Sequence, residues 1–258
     1  MCRMFAYAGN SRDDLMRLLS ALRQAARYDQ LLPGTVGKQH RDGWGFVLYS
    51  ENGLELAYHR SPLPIFQEGE GDGSAVPHFE GKIFALFHAR RASSGGPRGR
   101  LEFSHPFRGE SEDGALLYLA HNGALKRDSL PSDLTTPSCA RPMVDSEIGL
   151  RYIIQRLRED PDLEKATRIL EDFARPRSAL NLLILRVPGT RAPELFVKNF
   201  YRQDPLDKTD RTEYYRMCHQ RMPGGTAVFS STLTRSGPEF ENAAALRTDE
   251  LIPLADVR

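Results

Sequence analysis

The sequence lacks two features that would place it in a special class of protein. Its longest apolar stretches, at 83–87, 115–120 and 179–185, fall far short of the roughly 18 residues that a membrane-spanning helix requires. It also has no excess of either charge, because 35 basic and 34 acidic residues leave a net charge of +1. We therefore expect no membrane partner, and no nucleic-acid partner drawn in by a broad electrostatic field.

Cysteine is scarce as well. The three cysteines, Cys2, Cys139 and Cys218, are an odd number, lie far apart and form no C-x-x-C pair. This pattern predicts neither a disulfide framework nor a zinc site, and the scattered histidines show no ligand spacing. Because Arg3 interrupts the first apolar segment, the N-terminus does not read as an export signal. We expect a cytoplasmic protein that uses no metal and no cofactor.

The composition is that of an ordinary globular chain. The 258 residues, 40% hydrophobic and 27% charged, contain no repeat and no linker, so we predict one domain over 1–258. Short segments rich in Val, Ile, Leu and aromatics predict strands at 2–8, 44–50, 54–59, 82–88, 115–121, 180–187, 194–199 and 226–232. Helical spacing of apolar residues predicts helices at 13–27 and 146–158, with a third at 163–174. Hairpin-like strand succession with segregated helices predicts an α+β layered fold in which helices cover sheet faces.

Cys2 is the first candidate for chemistry. If Met1 is removed, the thiol and a free α-amine belong to one residue, and an amine with a pKa of about 8 can accept the proton of a thiol with a pKa of about 8.5. From position alone, a small apolar residue opening a strand is the simpler interpretation. Only residues elsewhere in the chain that could act together with Cys2 can distinguish a catalytic cysteine from a structural one.

A basic loop follows the strand predicted at 82–88. Arg90 and Ser93 lie in it, and a guanidinium fork beside a hydroxyl suits a ligand that carries a carboxylate. A solvated turn is the alternative for this segment. The loop is a poor match to a phosphate-binding loop, because no G-K-[ST] follows.

Two other motifs border predicted elements. Asn122 and the backbone N–H of Gly123 are two neighbouring donors, the kind of pair that stabilises a tetrahedral oxyanion, although Asn-Gly is also the commonest hairpin turn. Asp145 opens the helix predicted at 146–158, where a carboxylate either caps the helix or accepts hydrogen bonds from a substrate ammonium. Together, Arg90 and Asp145 would grip the two charged groups of an α-amino acid.

The motifs resemble a known family when they are taken in order. Cys2, H-x-R at 88–90, His-Pro at 105–106, His-Asn-Gly at 121–123 and Asp-Ser-Glu at 145–147 are similar to class II glutamine amidotransferases of the N-terminal nucleophile hydrolase superfamily. The segments 1–7, 40–46 and 229–231 resemble the stand-alone branch, whose members lack a fused synthase domain. The resemblance implies the four-layer αββα sandwich of that superfamily.

The resemblance also implies a reaction and a role for each residue. Cys2 would be the nucleophile and its α-amine the base, while Asn122 and the Gly123 amide would form the oxyanion hole. Arg90 and Ser93 would hold the substrate carboxylate, and Asp145 its ammonium. The thiol would attack the side-chain amide of glutamine, and water would hydrolyse the resulting γ-glutamyl thioester to glutamate.

Sequence differences from the fused members of the family leave the identity of the leaving group undecided. Arg3 stands where fused members usually have Gly after the nucleophile. Fused members also have an aromatic residue and a Thr-His pair in the loop after the arginine, and the loop from Arg91 to Ser94 has neither. The leaving group is then ammonia from glutamine, or an amine from a γ-glutamyl compound like those of glutathione or ergothioneine metabolism.

Three further hypotheses stay open beside a free amidohydrolase. The chain could hand ammonia to a separate synthase, or bind an amino acid without turnover. It could also be a Cys-His hydrolase in which His88, His105 or His121 is the base. The sequence leaves the oligomeric state undecided, and a homo-oligomer is one of the options.

Overall fold

The computed structural model describes residues 2–32, 37–68, 76–93, 95–135, 142–176, 178–202, 211–246 and 249–257. The strands are β1 (Arg3–Gly9), β2 (Trp44–Ser50), β3 (Glu55–Ser61), β4 (Ile83–Ala89), β5 (Phe107–Glu110), β6 (Leu116–Gly123), β7 (Ser178–Val187), β8 (Glu194–Lys198), β9 (Tyr201–Arg202), β10 (Met217–Met222), β11 (Gly225–Ser230), β12 (Ala244–Ala245) and β13 (Ile252–Pro253). The helices are α1 (Arg12–Arg27), α2 (Ser132–Thr135), α3 (Asp145–Glu159), α4 (Leu163–Leu170) and α5 (Thr212–Tyr215). Within these ranges, none of the helices has the length and apolar character needed to cross a bilayer.

The strands form two antiparallel sheets. The first sheet has the order β12-β10-β11-β1-β4-β2-β3, and the second has the order β13-β8-β7-β6-β5, with β9 pairing the start of β7. In the first sheet β1 is a central strand, in which Phe5 pairs with Phe229 on one side and Phe87 on the other. The start of the chain is therefore held in place by hydrogen-bonded neighbours on both sides.

Side chains of β1 alternate between two apolar layers. Phe5 and Tyr7 pack in the layer that includes the leucines of α1, whereas Met4 and Ala6 pack between the two sheets. This is the period of two that a strand imposes on its side chains. Because both faces of the strand are covered, all four of these side chains are fully buried.

The second sheet repeats the pattern. In β6, Leu117 and Leu119 pack against the layer of α3 and α4, and Tyr118 and Ala120 face the first sheet. Three apolar layers thus separate four structural layers, in the order α1, first sheet, second sheet, and α3 with α4. The predicted αββα sandwich is confirmed.

Helix α1 begins with a side-chain cap. Oγ of Ser11 accepts a hydrogen bond from the backbone nitrogen of Asp14 at 3.2 Å, which satisfies one of the free N–H groups of the first turn. The carboxylate of Asp14 is directed elsewhere, because its Oδ2 accepts from the backbone nitrogen of Gly224 at 2.7 Å. Asp14 therefore fastens α1 to the turn between β10 and β11.

Some predicted boundaries are wrong. The strand predicted at 226–232 ends at Ser230, and the chain continues as a 3-10 helix over Ser231–Arg235. The helix predicted at 163–174 ends at Leu170 and is followed by a 3-10 turn. Strands β5 and β10 are missing from the prediction, because their polar residues hide the pattern and cross-strand pairing decides their conformation.

The layer between the sheets gives a stability prediction. Leu86 of β4 is fully buried there, whereas Leu54, before β3, is 65% exposed. We expect Leu86→Ala to lower the free energy of unfolding by about 2–5 kcal/mol, because a cavity remains in a packed core. Leu54→Ala should change it by no more than about 0.5 kcal/mol. Urea denaturation measures both, and equal losses would contradict the layered core.

Candidate active site

Cys2 lies at the interface between the two sheets. It precedes β1 and is 6% exposed, and strand alternation places it on the same face as Met4, toward the second sheet. Its backbone nitrogen donates a hydrogen bond of 2.8 Å to Oδ1 of Asn122. Its Sγ lies 3.8 Å from the carbonyl oxygen of Arg91. The thiol is thus buried beside the loop that follows β4, and the backbone of the same residue is tied to the opposite sheet.

Asn122 and Gly123 are strand residues. They end β6, where Asn122 pairs with Asn181 and Gly123 with Leu180 of β7, so the hairpin-turn interpretation of Asn-Gly is wrong. Asn122 shares a strand face with Ala120, which explains why its side chain reaches across to Cys2. A Cβ at position 123 would collide with the backbone oxygen of Ala179, so the close approach of β7 requires glycine here.

Arg90 lies next to Cys2. The register of β1 with β4 pairs Arg3 with Ala89, which brings position 90 beside position 2. The guanidinium is buried, and its Nη1 and Nη2 donate to the carbonyl oxygens of Asp42 at 3.2 Å and Pro97 at 3.0 Å. These two bonds fix the plane of the cation.

Asp42 holds the loop that carries Arg90. Its Oδ2 accepts from the backbone nitrogen of Ala92 at 2.8 Å, and its Oδ1 lies 3.3 Å from Nε of Arg98. Its own backbone nitrogen donates to the carbonyl oxygen of Arg90 at 3.0 Å. The sequence places Asp42 inside a Gly- and aromatic-rich segment, but that pattern gives no sign that the carboxylate organises this loop.

Ser93 and Asp145 lie in adjoining segments. Ser93 is exposed, its carbonyl oxygen closes a turn with Gly96, and Ser94 lies outside the described residues. Asp145 begins α3, and its two carboxylate oxygens accept from the backbone nitrogens of Leu125 at 2.9 Å and Ser146 at 3.0 Å. No hydrogen bond among the described residues joins Ser93 or Asp145 to Cys2, whereas Asn122 makes one directly.

A buried ion pair anchors the residue after the nucleophile candidate. Nε of Arg3 lies 2.7 Å from Oδ2 of Asp29, and Nε2 of His40 lies 2.8 Å from the same oxygen. Thr232 donates to Oδ1 of Asp29 at 2.9 Å, and the guanidinium of Arg3 stacks 3.9 Å from the ring centroid of Tyr214. The side chains of Arg3, Asp29 and His40 are fully buried.

The protonation states of this cluster follow from its contacts. Burial acts to raise the pKa of Asp29, but the hydrogen bond from His40 and the charge of Arg3 outweigh burial and hold the pKa well below its usual range. Burial lowers the pKa of His40 to about 4, against the opposing effect of Asp29. At neutral pH the cluster therefore consists of one cation, one carboxylate and a neutral imidazole that donates to the carboxylate.

Sequence reasoning missed Asp29 and its link to Arg3. An arginine inside an apolar strand is a usable signal, because a buried cation needs an anionic partner. Which of 34 acidic residues provides the partner is set by the path of the chain after α1, and no local pattern marks it.

The thiols of Cys2 and Cys218 differ in acidity. Burial acts to raise the pKa of Cys2, but the positive charge of the chain's N-terminal amine and the imidazole of His88 outweigh burial and lower the pKa to about 6. Burial raises the pKa of Cys218 to about 11. Thiolate is the reactive form, so Cys2 is the activated thiol of the two. In the described ranges, no three His, Cys, Asp or Glu side chains are placed to hold a metal ion.

The family of the chain is established by a family model. The model for "Glutamine amidotransferases class-II" matches residues 1–181, which is well over half of the sequence. The chain therefore belongs to the class II glutamine amidotransferases, a family of enzymes with an N-terminal cysteine and the N-terminal nucleophile hydrolase fold. None of the curated proteins matches the sequence.

Two solved structures share the fold. Glutamine phosphoribosylpyrophosphate amidotransferase from B. subtilis, complexed with ADP and GMP, aligns with a TM-score of 0.59 and 17% identity, over 97% of this chain and 45% of that chain. A structure of the allosteric regulatory enzyme of purine biosynthesis aligns with a TM-score of 0.59 and 20% identity, over 96% of this chain and 44% of that chain. The chain spans less than half the length of either protein, and the likeness concerns the fold alone.

The neutral His40 gives a pH prediction. An unfolded histidine takes up a proton below about pH 6.5, whereas folded His40 does so only near pH 4, so folding loses stability as the pH falls between these values. We expect His40 to account for up to about 3 kcal/mol of this loss. His40→Gln keeps an N–H that can donate to Asp29 and should remove that part of the loss.

Urea unfolding at several pH values tests this prediction. The exposed His78→Gln variant is the matched control and should keep the wild-type pH dependence. An identical pH dependence in wild type and His40→Gln would contradict the assignment of a neutral buried imidazole.

Proposed function

We propose that this protein hydrolyses the side-chain amide of glutamine, or of another γ-glutamyl amide, through a γ-glutamyl thioester on Cys2. The hydrogen bond of 2.8 Å between the backbone nitrogen of Cys2 and Oδ1 of Asn122 carries this proposal. It places the nitrogen that becomes the α-amine, the thiol and a side-chain amide donor within one buried site. The lowered pKa of the thiol supports the same assignment.

The reaction begins with a proton transfer within one residue. Once Met1 is removed, the α-amine of Cys2 accepts the thiol proton, and the thiolate attacks the δ-carbonyl carbon of glutamine. The resulting ammonium donates its proton to the amide nitrogen, the carbon–nitrogen bond breaks, and ammonia or an amine departs. Water then attacks the thioester and gives a proton to the amine, and glutamate leaves as the thiol is restored.

Asn122 and Gly123 stabilise the negative charge of the tetrahedral intermediates. Because Oδ1 of Asn122 accepts from the nitrogen of Cys2, the NH₂ end of the same amide is the end available as a donor. The backbone N–H of Gly123 is the second donor. Both groups belong to a strand inside a packed sheet, so little reorganisation accompanies the reaction.

Charge complementarity positions the amino-acid end of the substrate. Arg90, with its guanidinium plane fixed by the carbonyl oxygens of Asp42 and Pro97, binds the substrate carboxylate together with Ser93. Asp145, half-buried at the start of α3, accepts from the substrate ammonium.

The rim of the site governs the leaving group. Arg91 donates to the backbone oxygens of Gly37 and Gln39, so this arginine ties the loop after β4 to the segment before β2. We extend the proposal to γ-glutamyl amines because this rim differs from the aromatic and Thr-His rim of fused members. The competing hypothesis is that the released ammonia is delivered to a separate synthase.

The first test measures glutamate release from glutamine and a panel of γ-glutamyl amines. Cys2→Ala should abolish release, because it removes the nucleophile. Cys218→Ala is the matched control and should retain release, since the pKa of that thiol is raised to about 11. Glutamate release that persists undiminished in Cys2→Ala would overturn the proposal.

Intact mass separates turnover from binding alone. The mature enzyme should lack Met1, because the amine of Cys2 is otherwise locked in a peptide bond and cannot accept a proton. A preparation that keeps Met1, binds glutamine and releases no glutamate would instead support a non-catalytic binding module.

A second test concerns the oxyanion donor. Asn122→Asp keeps an oxygen that can accept from Cys2 but replaces the NH₂ donor with a charged acceptor, so we expect kcat to fall about 10²–10³-fold or more. Asn52→Asp makes the same change in an exposed turn at the far end of β2 and should leave kcat unchanged. An Asn122→Asp enzyme with the wild-type kcat would exclude Asn122 as an oxyanion donor.

A further inference from the structure

Asn181 of β7 is a buried amide that the reaction above leaves unused. It is the strand partner of Asn122, and its side chain lies on the same face of the sheet as Leu183 and Leu185, which pack between the two sheets. Side chains that are paired directly on one face have Cβ atoms about 4.5–5.5 Å apart. Asn181, which is 1% exposed, is therefore the neighbour of the amide that bonds the backbone nitrogen of Cys2.

One end of the Asn181 amide is bonded and the other is not. Nδ2 donates to the backbone oxygen of Tyr215 at 2.6 Å, and because a carbonyl oxygen can only accept, this contact identifies the NH₂ end of the amide. Oδ1, at the opposite end, has no hydrogen-bond partner among the described residues. Buried amide oxygens are nearly always paired in folded proteins. An unpaired one beside a reactive residue therefore indicates an acceptor for a donor that forms there.

Removal of Met1 creates such a donor. In a peptide bond the nitrogen of Cys2 has one N–H, and that N–H is bonded to Oδ1 of Asn122 at 2.8 Å. The free amine has two N–H groups and a lone pair, and the ammonium form has three N–H groups. With one acceptor, two staggered arrangements of the amine are equivalent, because its second N–H and its lone pair can exchange places. A second acceptor selects one of these arrangements.

The ionisable groups around Cys2 are less suited to this role than the neutral amide of Asn181. They lie on the surrounding elements and are Arg3 of β1, His88 of β4, Arg90 of the loop after β4, His121 of β6, Asp145 of α3 and Tyr214 of α5. The arginines only donate, and both carboxylate oxygens of Asp145 already accept from backbone nitrogens. Burial raises the pKa of Tyr214, so its hydroxyl keeps its proton. Imidazole nitrogens stop accepting once they are protonated, whereas an amide oxygen accepts at every pH.

We propose that Asn181 is a positioning residue, whose Oδ1 accepts the second N–H of the Cys2 α-amine beside the bond to Asn122 and so turns the lone pair of the amine toward the thiol. This inference rests on the function proposed above, in which that amine accepts the thiol proton. The new bond becomes charge-assisted when the amine is protonated, so it strengthens as the thiolate attacks. Its loss should therefore affect kcat more than KM.

Steady-state kinetics with glutamine provide the first test. Asn181→Leu removes the acceptor with little change in side-chain volume, and we expect kcat to fall about 10–100-fold while KM stays within about twofold of the wild type. Asn199→Leu is the matched control, because Nδ2 of half-buried Asn199 also donates to a backbone oxygen, that of Leu246 at 2.9 Å. This control should keep the wild-type kcat. A wild-type kcat in Asn181→Leu, or equal losses in the two variants, would overturn the inference.

Titration of the amine nitrogen by NMR is a second readout that needs folded protein and no glutamine. In mature protein with isotope-labelled cysteine, the nitrogen of Cys2 is an amine, whereas those of Cys139 and Cys218 are amides. Asn181→Leu should lower the pH at which the amine titrates, because the ammonium loses an acceptor, and Asn181→Asp should raise it, because a carboxylate stabilises the ammonium. An unchanged midpoint in either folded variant would overturn the inference. If the wild type released no glutamate, the proposed function would fail, while the titration would still test the contact between Asn181 and the amine.

Discussion

The hydrogen bond between the backbone nitrogen of Cys2 and Oδ1 of Asn122 joins the two sheets at the place where the thiol lies. It is available only because β1 is a central strand of the first sheet and β6 is an inner strand of the second. The alternation of side chains then directs Cys2, His88 and Asn122 into the same interlayer space. The requirement for glycine at 123 has the same origin, since β7 packs its backbone against that position.

Buried polar groups beside this bond need partners, and the fold provides them. Asp29 accepts from Arg3, His40 and Thr232, so a carboxylate that would be costly to bury alone is fully engaged. Arg3 directly follows Cys2 in the chain, and its Nη1 also donates to the carbonyl oxygen of Tyr214 at 2.9 Å. The start of β1 is therefore held by side-chain contacts as well as by the sheet, which limits the freedom of the thiol.

Much of the fold is predictable from the sequence because both faces of the inner strands are covered. Mainly apolar segments such as 2–8 and 180–187, which only a few polar residues interrupt, have to be buried, and the leucine spacing of α1 fixes its inner face. The site is less predictable. The ordered motifs predict Cys2 and Asn122 as site residues. The pairing of Arg3 with Asp29 depends on the path of the chain between them, which no local pattern gives. The Asn-Gly pair is typical of a turn, and only its pairing with β7 makes it part of a strand. Local rules fail where long-range contacts set the geometry.

Trapping of the acyl-enzyme tests the central claim most directly. The mature protein is mixed with glutamine, quenched in acid within a single turnover, digested and analysed by mass spectrometry. We expect a γ-glutamyl group on the N-terminal peptide, attached to the thiol of Cys2 and absent from Cys2→Ala. Release of glutamate with no adduct on Cys2, or with the adduct on another residue, would contradict it.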